Sequence, residues 1–239
     1  MESNPFIVSQ APASDRAAFF RRTYGLVAVS FAGFAVVLYA LFISGAAAVM
    51  MKSLTGMVGS LGGWSILLVM VAFWAGTTVA QSLAFNRASR SSQYAGLGLY
   101  VLLEALIFVP LIYYTAAVTR GNPGEILLPA CAVTGALVVA LTAVVFLTNM
   151  DFTFLKVAIV IGSICMLGII LVAAIFGLSL GTWFSIAMIV LMATVILYQT
   201  NVIKDTMETD QHVAAAFILF SSFVTLLFYV IRLFAGRRE

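Results

Sequence analysis

The sequence predicts an all-α membrane protein: seven transmembrane helices, with the last helix central in the bundle. The 239 residues are 63% hydrophobic and only 9% charged, with a mean hydropathy of +1.14. The apolar residues fall in unbroken runs of about 20, the length that crosses a bilayer as a helix. Lipid leaves the backbone only helices or closed barrels, and unbroken runs lack a barrel strand's alternation. The final run, HVAAAFILFSSFVTLLFYVIRL, also carries Ser222, Thr225, Tyr229 and Arg232 at steps of three, four and three. That spacing puts a polar stripe on one helix face, which suits a helix surrounded by others or lining a wet cavity.

Taken in order, residues 1–23 read as a polar amino-terminal tail, loose over SNPFIVSQAPAS, with Arg16, Arg21 and Arg22 before the first span. The spans are Tyr24–Ile43, Trp64–Ala84, Tyr94–Tyr114, Ile126–Leu147, Phe154–Phe176, Thr182–Ile203 and His212–Leu233. The first is longer than a secretory apolar region of roughly 7–15 residues and is expected to be retained as a helix. The connection 44–63 is rich in Gly and Ala with one charge, Lys52, and is placed partly in the membrane interface. Pro129 falls in the first turn of the fourth span, where proline is tolerated. Pro110, late in the third, deprives the Leu106 carbonyl of its helical donor and is expected to kink or end that helix. The break Gly177–Gly181 is short enough to force an antiparallel pair. Residues 234–239 form a short basic carboxy-terminal tail, so the membrane domain occupies 24–233.

Lysines and arginines favour an inside amino terminus, seven (Arg16, Arg21, Arg22, Arg87, Arg90, Lys156, Lys204) against five (Lys52, Arg120, Arg232, Arg237, Arg238). The three carboxy-terminal arginines oppose that count, and a final span that re-enters without crossing would make it ten against two. Both arrangements stay open. The net charge of +3 fits membrane loops and gives no reason to expect nucleic acid. Cys131 and Cys165 lie inside apolar spans and read as small buried residues rather than a disulfide or zinc framework. His212 opens the last span as an interfacial residue.

Of nine acidic residues only Glu104 is deep in a span. An intramembrane carboxylate costs about 3 kcal/mol or more, so it faces the protein interior or water. Two readings compete: a cation or proton site, or a carboxyl hydrogen-bonded to a neighbouring helix. Thr78 and Gln81 in the second span, Gln199 in the sixth, and Ser222 and Thr225 in the seventh could line one polar cavity with Glu104. No Gly-rich phosphate loop and no nucleophile, base or metal constellation is present. The chain is expected to be no enzyme and to hold no metal or cofactor.

Five segments in order resemble the Bax-inhibitor-1-like family, also called the transmembrane Bax inhibitor motif family. ALIFVPLI (105–112) is similar to its Gly-x-x-apolar-Gly-Pro-x-Leu, with Ala105 and Val109 at the glycine positions. ILLPACAVTGAL (126–137) is similar to its Ala-x-x-x-Thr-Ala stretch through Ala130, Thr134 and Gly135. TNMDFTFL (148–155) resembles its Thr-x-x-Asp-Phe-Ser-x-Leu loop, and ILYQTNVI (196–203) its Ile-Leu-Tyr-Asp-Thr-Gln segment. SFVTLLFYVIRL (222–233) resembles its Asp-Phe-x-Asn-Leu-Phe-x-Tyr-x-x-Arg ending.

The resemblance implies six or seven helices, the last one central. It also implies a multi-pass protein of a bacterial inner or plasma membrane, and a calcium leak gated by paired aspartates. Those aspartates correspond to Gln199 and Ser222, which cannot titrate, so the pH gate is expected to be altered or absent. The expected function is a cation channel or transporter, with calcium a candidate ion. The alternative is a non-conducting regulator that binds other membrane proteins.

Overall fold

The computed structural model describes residues 6–148 and 150–237. They form eight helices: α1 (Ala13–Ile43), α2 (Ala46–Leu61), α3 (Trp64–Ala84), α4 (Arg90–Val118), α5 (Gly124–Leu147), α6 (Leu155–Phe176), α7 (Thr182–Thr206) and α8 (His212–Gly236). All but α2 are long and apolar enough to cross a membrane, and these seven correspond to the seven spans expected. The segment 44–63 is α2, a separate 16-residue helix set off from α1 by Gly45 at φ +76°.

Helix α8 is the most enclosed: 78% of its most apolar stretch is buried, against 50% on α4 and 6% on α3. It packs on α1, α3, α4, α5 and α7. Its opening run Ala214, Ala215 and Ala216 is buried, and small residues let neighbouring backbones approach. Aromatic edges fill the space above. Phe217 lies 4.6 Å from Tyr100 between ring centroids, Phe220 lies 5.0 Å from Phe31, and Phe228 lies 5.5 Å from Phe108. Such pairs add about 1 kcal/mol beyond the area they bury. By contrast α6 fully buries only Ala173 and Ala174, and meets the rest of the bundle through half-buried side chains such as Met166 and Ile170 on one face.

Three expectations are corrected here. The first helix begins at Ala13 rather than Tyr24, because Phe19, Thr23, Val27, Ser30 and Phe34 continue one buried face down through the polar stretch. The segment from Phe6 is also tied down. The Val8 amide donates to the Met207 carbonyl at 2.9 Å and the Thr209 amide to the Phe6 carbonyl at 2.8 Å, holding it against the α7–α8 turn. Of the two outcomes expected at Pro110, a kink or an end, the second is overturned: α4 continues to Val118.

Two smaller corrections follow. Cys131 and Cys165 are free and exposed, because an apolar residue in a membrane protein can face lipid rather than protein. Residues 234–236 of the expected carboxy-terminal tail belong to α8, which runs to Gly236; Arg238 and Glu239 lie outside the described residues.

Candidate functional site

Glu104 sits on α4 with 5% exposure, facing the bundle. Its carboxyl hydrogen-bonds Tyr100, which lies four residues earlier on the same helix face. Tyr100 also hydrogen-bonds Ser221 of α8, so Glu104 reaches the last helix through a phenol rather than directly. One residue on, the Ser222 hydroxyl donates to Gln199 Oε1 of α7. One contact thus ties α4 to α8 and a separate one ties α8 to α7, through neighbouring serines whose own hydroxyls are not bonded to each other: the Ser221 hydroxyl donates to the Ile218 carbonyl at 2.8 Å.

The stripe on α8 faces α7. Below the Ser222–Gln199 contact, Tyr229 meets the Phe184 ring edge-on at 6.0 Å. Arg232 donates to the Leu180 carbonyl at 2.8 Å and lies 5.8 Å from the Phe184 ring centre. Thr225 turns its hydroxyl to the Ser221 carbonyl of its own helix, 2.7 Å away.

Thr78 and Gln81 do not join this site; both are exposed. The face of α3 turned inward is that of Ala80 and Ala84, and at 100° per residue Thr78 and Gln81 fall off it. The Thr78 hydroxyl donates to the Trp74 carbonyl at 2.8 Å instead. Sequence reading missed Tyr100 and Ser221. Tyr100 carried the signal of its four-residue spacing from Glu104; Ser221, next to the stripe, carried none.

A second polar cluster ties the α5–α6 loop to α7. Asp151 Oδ1 accepts from the Thr153 hydroxyl at 2.5 Å, the Thr153 amide at 2.9 Å and Asn201 Nδ2 at 3.3 Å. Lys204 Nζ donates to the Val145 carbonyl at 3.2 Å. The Thr153 side-chain and backbone donors, helped by Asn201 and the Lys204 charge, hold the Asp151 carboxyl below the ordinary aspartate value of 3.8. A depressed folded value means this contribution to stability is fully present above about pH 4 and lost as pH falls through the folded value. Asp151→Asn is therefore expected to flatten a small part of the acid limb of a plot of thermal midpoint against pH. An unchanged limb between pH 5 and 2 would sink this account of the loop. Among the described residues no three His, Cys, Asp or Glu side chains gather as a metal site.

Fold and site together define a polytopic helical membrane protein with buried polar contacts between three of its helices. A family model described as Inhibitor of apoptosis-promoting Bax1 matches residues 16–239, and the chain belongs to this Bax-inhibitor-1-like family. A comparison with curated proteins finds no match.

Proposed function

We propose that this protein provides a slow cation pathway through a bacterial inner or plasma membrane, with calcium the ion to test. The observation that carries the reading is the buried connection from Glu104 through Tyr100 and Ser221, beside the Ser222–Gln199 pair. Intramembrane carboxyls are costly and are retained mainly at ion or proton routes. Support also comes from α5 and α7, where the Thr134 and Thr200 hydroxyls and Asn201 Oδ1 are buried without a protein partner. Buried polar atoms of that kind suit water or a passing cation. No enzymatic step enters this reading.

Calcium flux into liposomes holding the purified protein tests it. Glu104→Gln keeps the side chain's shape and removes its charge, and is expected to slow flux about tenfold, equivalent to about 1.4 kcal/mol of barrier. Flux no faster than in empty liposomes, or equal flux in the variant, overturns the proposal.

A second reading, a non-conducting regulator that binds other membrane proteins, is favoured by a different observation. Two cavities, of about 550 and 540 Å³, lie at the amino-terminal end of the bundle rather than along the buried polar connection. Absence of flux together with co-purification of a membrane partner would select this reading.

A further inference from the structure

The 550 Å³ cavity is lined by Arg21, Arg22, Gly25 and Leu26 of α1, Arg90 and Tyr94 of α4, and His212 of α8. Three guanidinium groups from two helices line it, and one of them, Arg90, has a carboxylate partner. That carboxylate is Asp210, which is 57% exposed and 4.0 Å from Arg90 Nη2. Arg90 is held in place by donating Nη1 to the Asp210 carbonyl at 2.6 Å and to Gln93 Oε1 at 3.3 Å. Among the described residues neither Arg21 nor Arg22 meets a carboxylate within ion-pair distance, whereas nearby Arg87 is paired with Glu208 at 2.9 Å. His212 lines the same cavity and is itself only 8% exposed.

We propose that this pocket binds the phosphate of an anionic phospholipid. Unpaired guanidinium groups are planar multi-donors matched to phosphate oxygens. The position of the pocket selects a lipid over a free anion. Arg21 and Arg22 stand immediately before the apolar run that opens at Tyr24, while Leu26 and the half-exposed Tyr94 belong to the spans themselves. The pocket thus straddles the boundary where lipid phosphates lie and where tyrosine is enriched. Basic pockets between transmembrane helices at that depth suit acidic headgroups. Helices α1, α4 and α8 all contribute to it, so an occupied pocket would clamp the enclosed helix to two neighbours.

Gly25 separates a shaped site from diffuse surface charge. Gly25 lines the cavity and a Cβ built there meets no atom within 4 Å, so a larger side chain starts in open space and leaves every charge in place.

The test uses the full chain in detergent, with binding read by native mass spectrometry and by thermal midpoint. The probes are phosphatidylglycerol, phosphatidylcholine and inorganic phosphate. Phosphatidylglycerol is expected to bind and raise the midpoint, and phosphatidylcholine to do neither. Each arginine near a membrane surface contributes about fivefold, so Arg21→Gln with Arg22→Gln is expected to weaken binding about 30-fold. Gly25→Leu is expected to weaken it also, and Arg237→Gln, at the far end of α8, to leave it unchanged. Four outcomes overturn the proposal: equal binding of phosphatidylcholine, unchanged binding by the double variant, or a Gly25→Leu variant that binds as wild type. The fourth is a midpoint raised by inorganic phosphate and not by phosphatidylglycerol, which would assign the pocket to a free anion.

Discussion

Gly96→Val is expected to destabilise the folded protein by about 3 kcal/mol, the upper end of what overpacking a close contact costs. At Gly96 the backbone of α4 lies directly against that of α3. A Cβ at this position would lie 2.4 Å from the Ala84 amide nitrogen, 2.5 Å from the Ala80 carbonyl oxygen and 2.9 Å from Leu83 Cβ. The first two are backbone atoms, so a rotamer change cannot relieve the clash and the helices must part. Ala80 and Ala84 are themselves fully buried, which makes this a small-residue contact between two backbones. Gly98→Val on the same helix is the control, since a Cβ there meets nothing within 4 Å. It trades a poor helix former for a better one and is expected to be neutral or slightly stabilising. Thermal unfolding in detergent compares the two; equal midpoints would mean that the α3–α4 contact is looser than drawn.

That contact shows where sequence reading stops. Apolar runs report span length, so the seven crossing helices were readable; of the stripe Ser222, Thr225, Tyr229 and Arg232, the structure buries Ser222 and Tyr229 and leaves Thr225 and Arg232 half-buried. Run length says nothing about which face of a span meets protein. On α3 the polar Thr78 and Gln81 invited an inward reading, but the helix turns in the alanines that let α4 approach. Cys131 and Cys165 were misjudged for the same reason, because lipid and protein interior accept the same side chains.

The early start of α1 was readable in principle. Phe19, Thr23, Val27, Ser30 and Phe34 recur at helical steps across the polar-to-apolar boundary, but a search for apolar runs discards the polar half. The docking of Phe6 to Ala11 was not readable, because backbone hydrogen bonds to Met207 and Thr209 leave no mark on residue type.

Aspartate at both Gln199 and Ser222 is expected to turn a weakly pH-dependent flux into a steeply pH-dependent one. For these residues to meet, the turn between α7 and α8 must centre near Asp210 and Gln211, their sequence midpoint, which requires α7 to extend beyond Ile203. It runs to Thr206, Lys204 and Asp205 included, and the Ser222 hydroxyl reaches Gln199 directly. Gln and Ser share a hydrogen bond but neither ionises, so the wild-type contact has nothing to titrate between about pH 5 and 8. Two aspartates in the same place could not both ionise cheaply; they would share one proton and titrate as a pair. Loss of that shared proton would set two like charges against each other across α7 and α8, at the site where the interior is already polar. Calcium flux into liposomes at pH 5, 6, 7 and 8 measures the difference. With Glu104→Gln and His212→Ala in both backgrounds, the protein that keeps Gln199 and Ser222 is expected to vary little and the one with both aspartates to vary at least about tenfold, the effect of about 1.4 kcal/mol. A steep wild-type profile that persists with Glu104→Gln and His212→Ala combined, or a flat profile in the double aspartate variant, would show that this contact is not where the pathway senses protons.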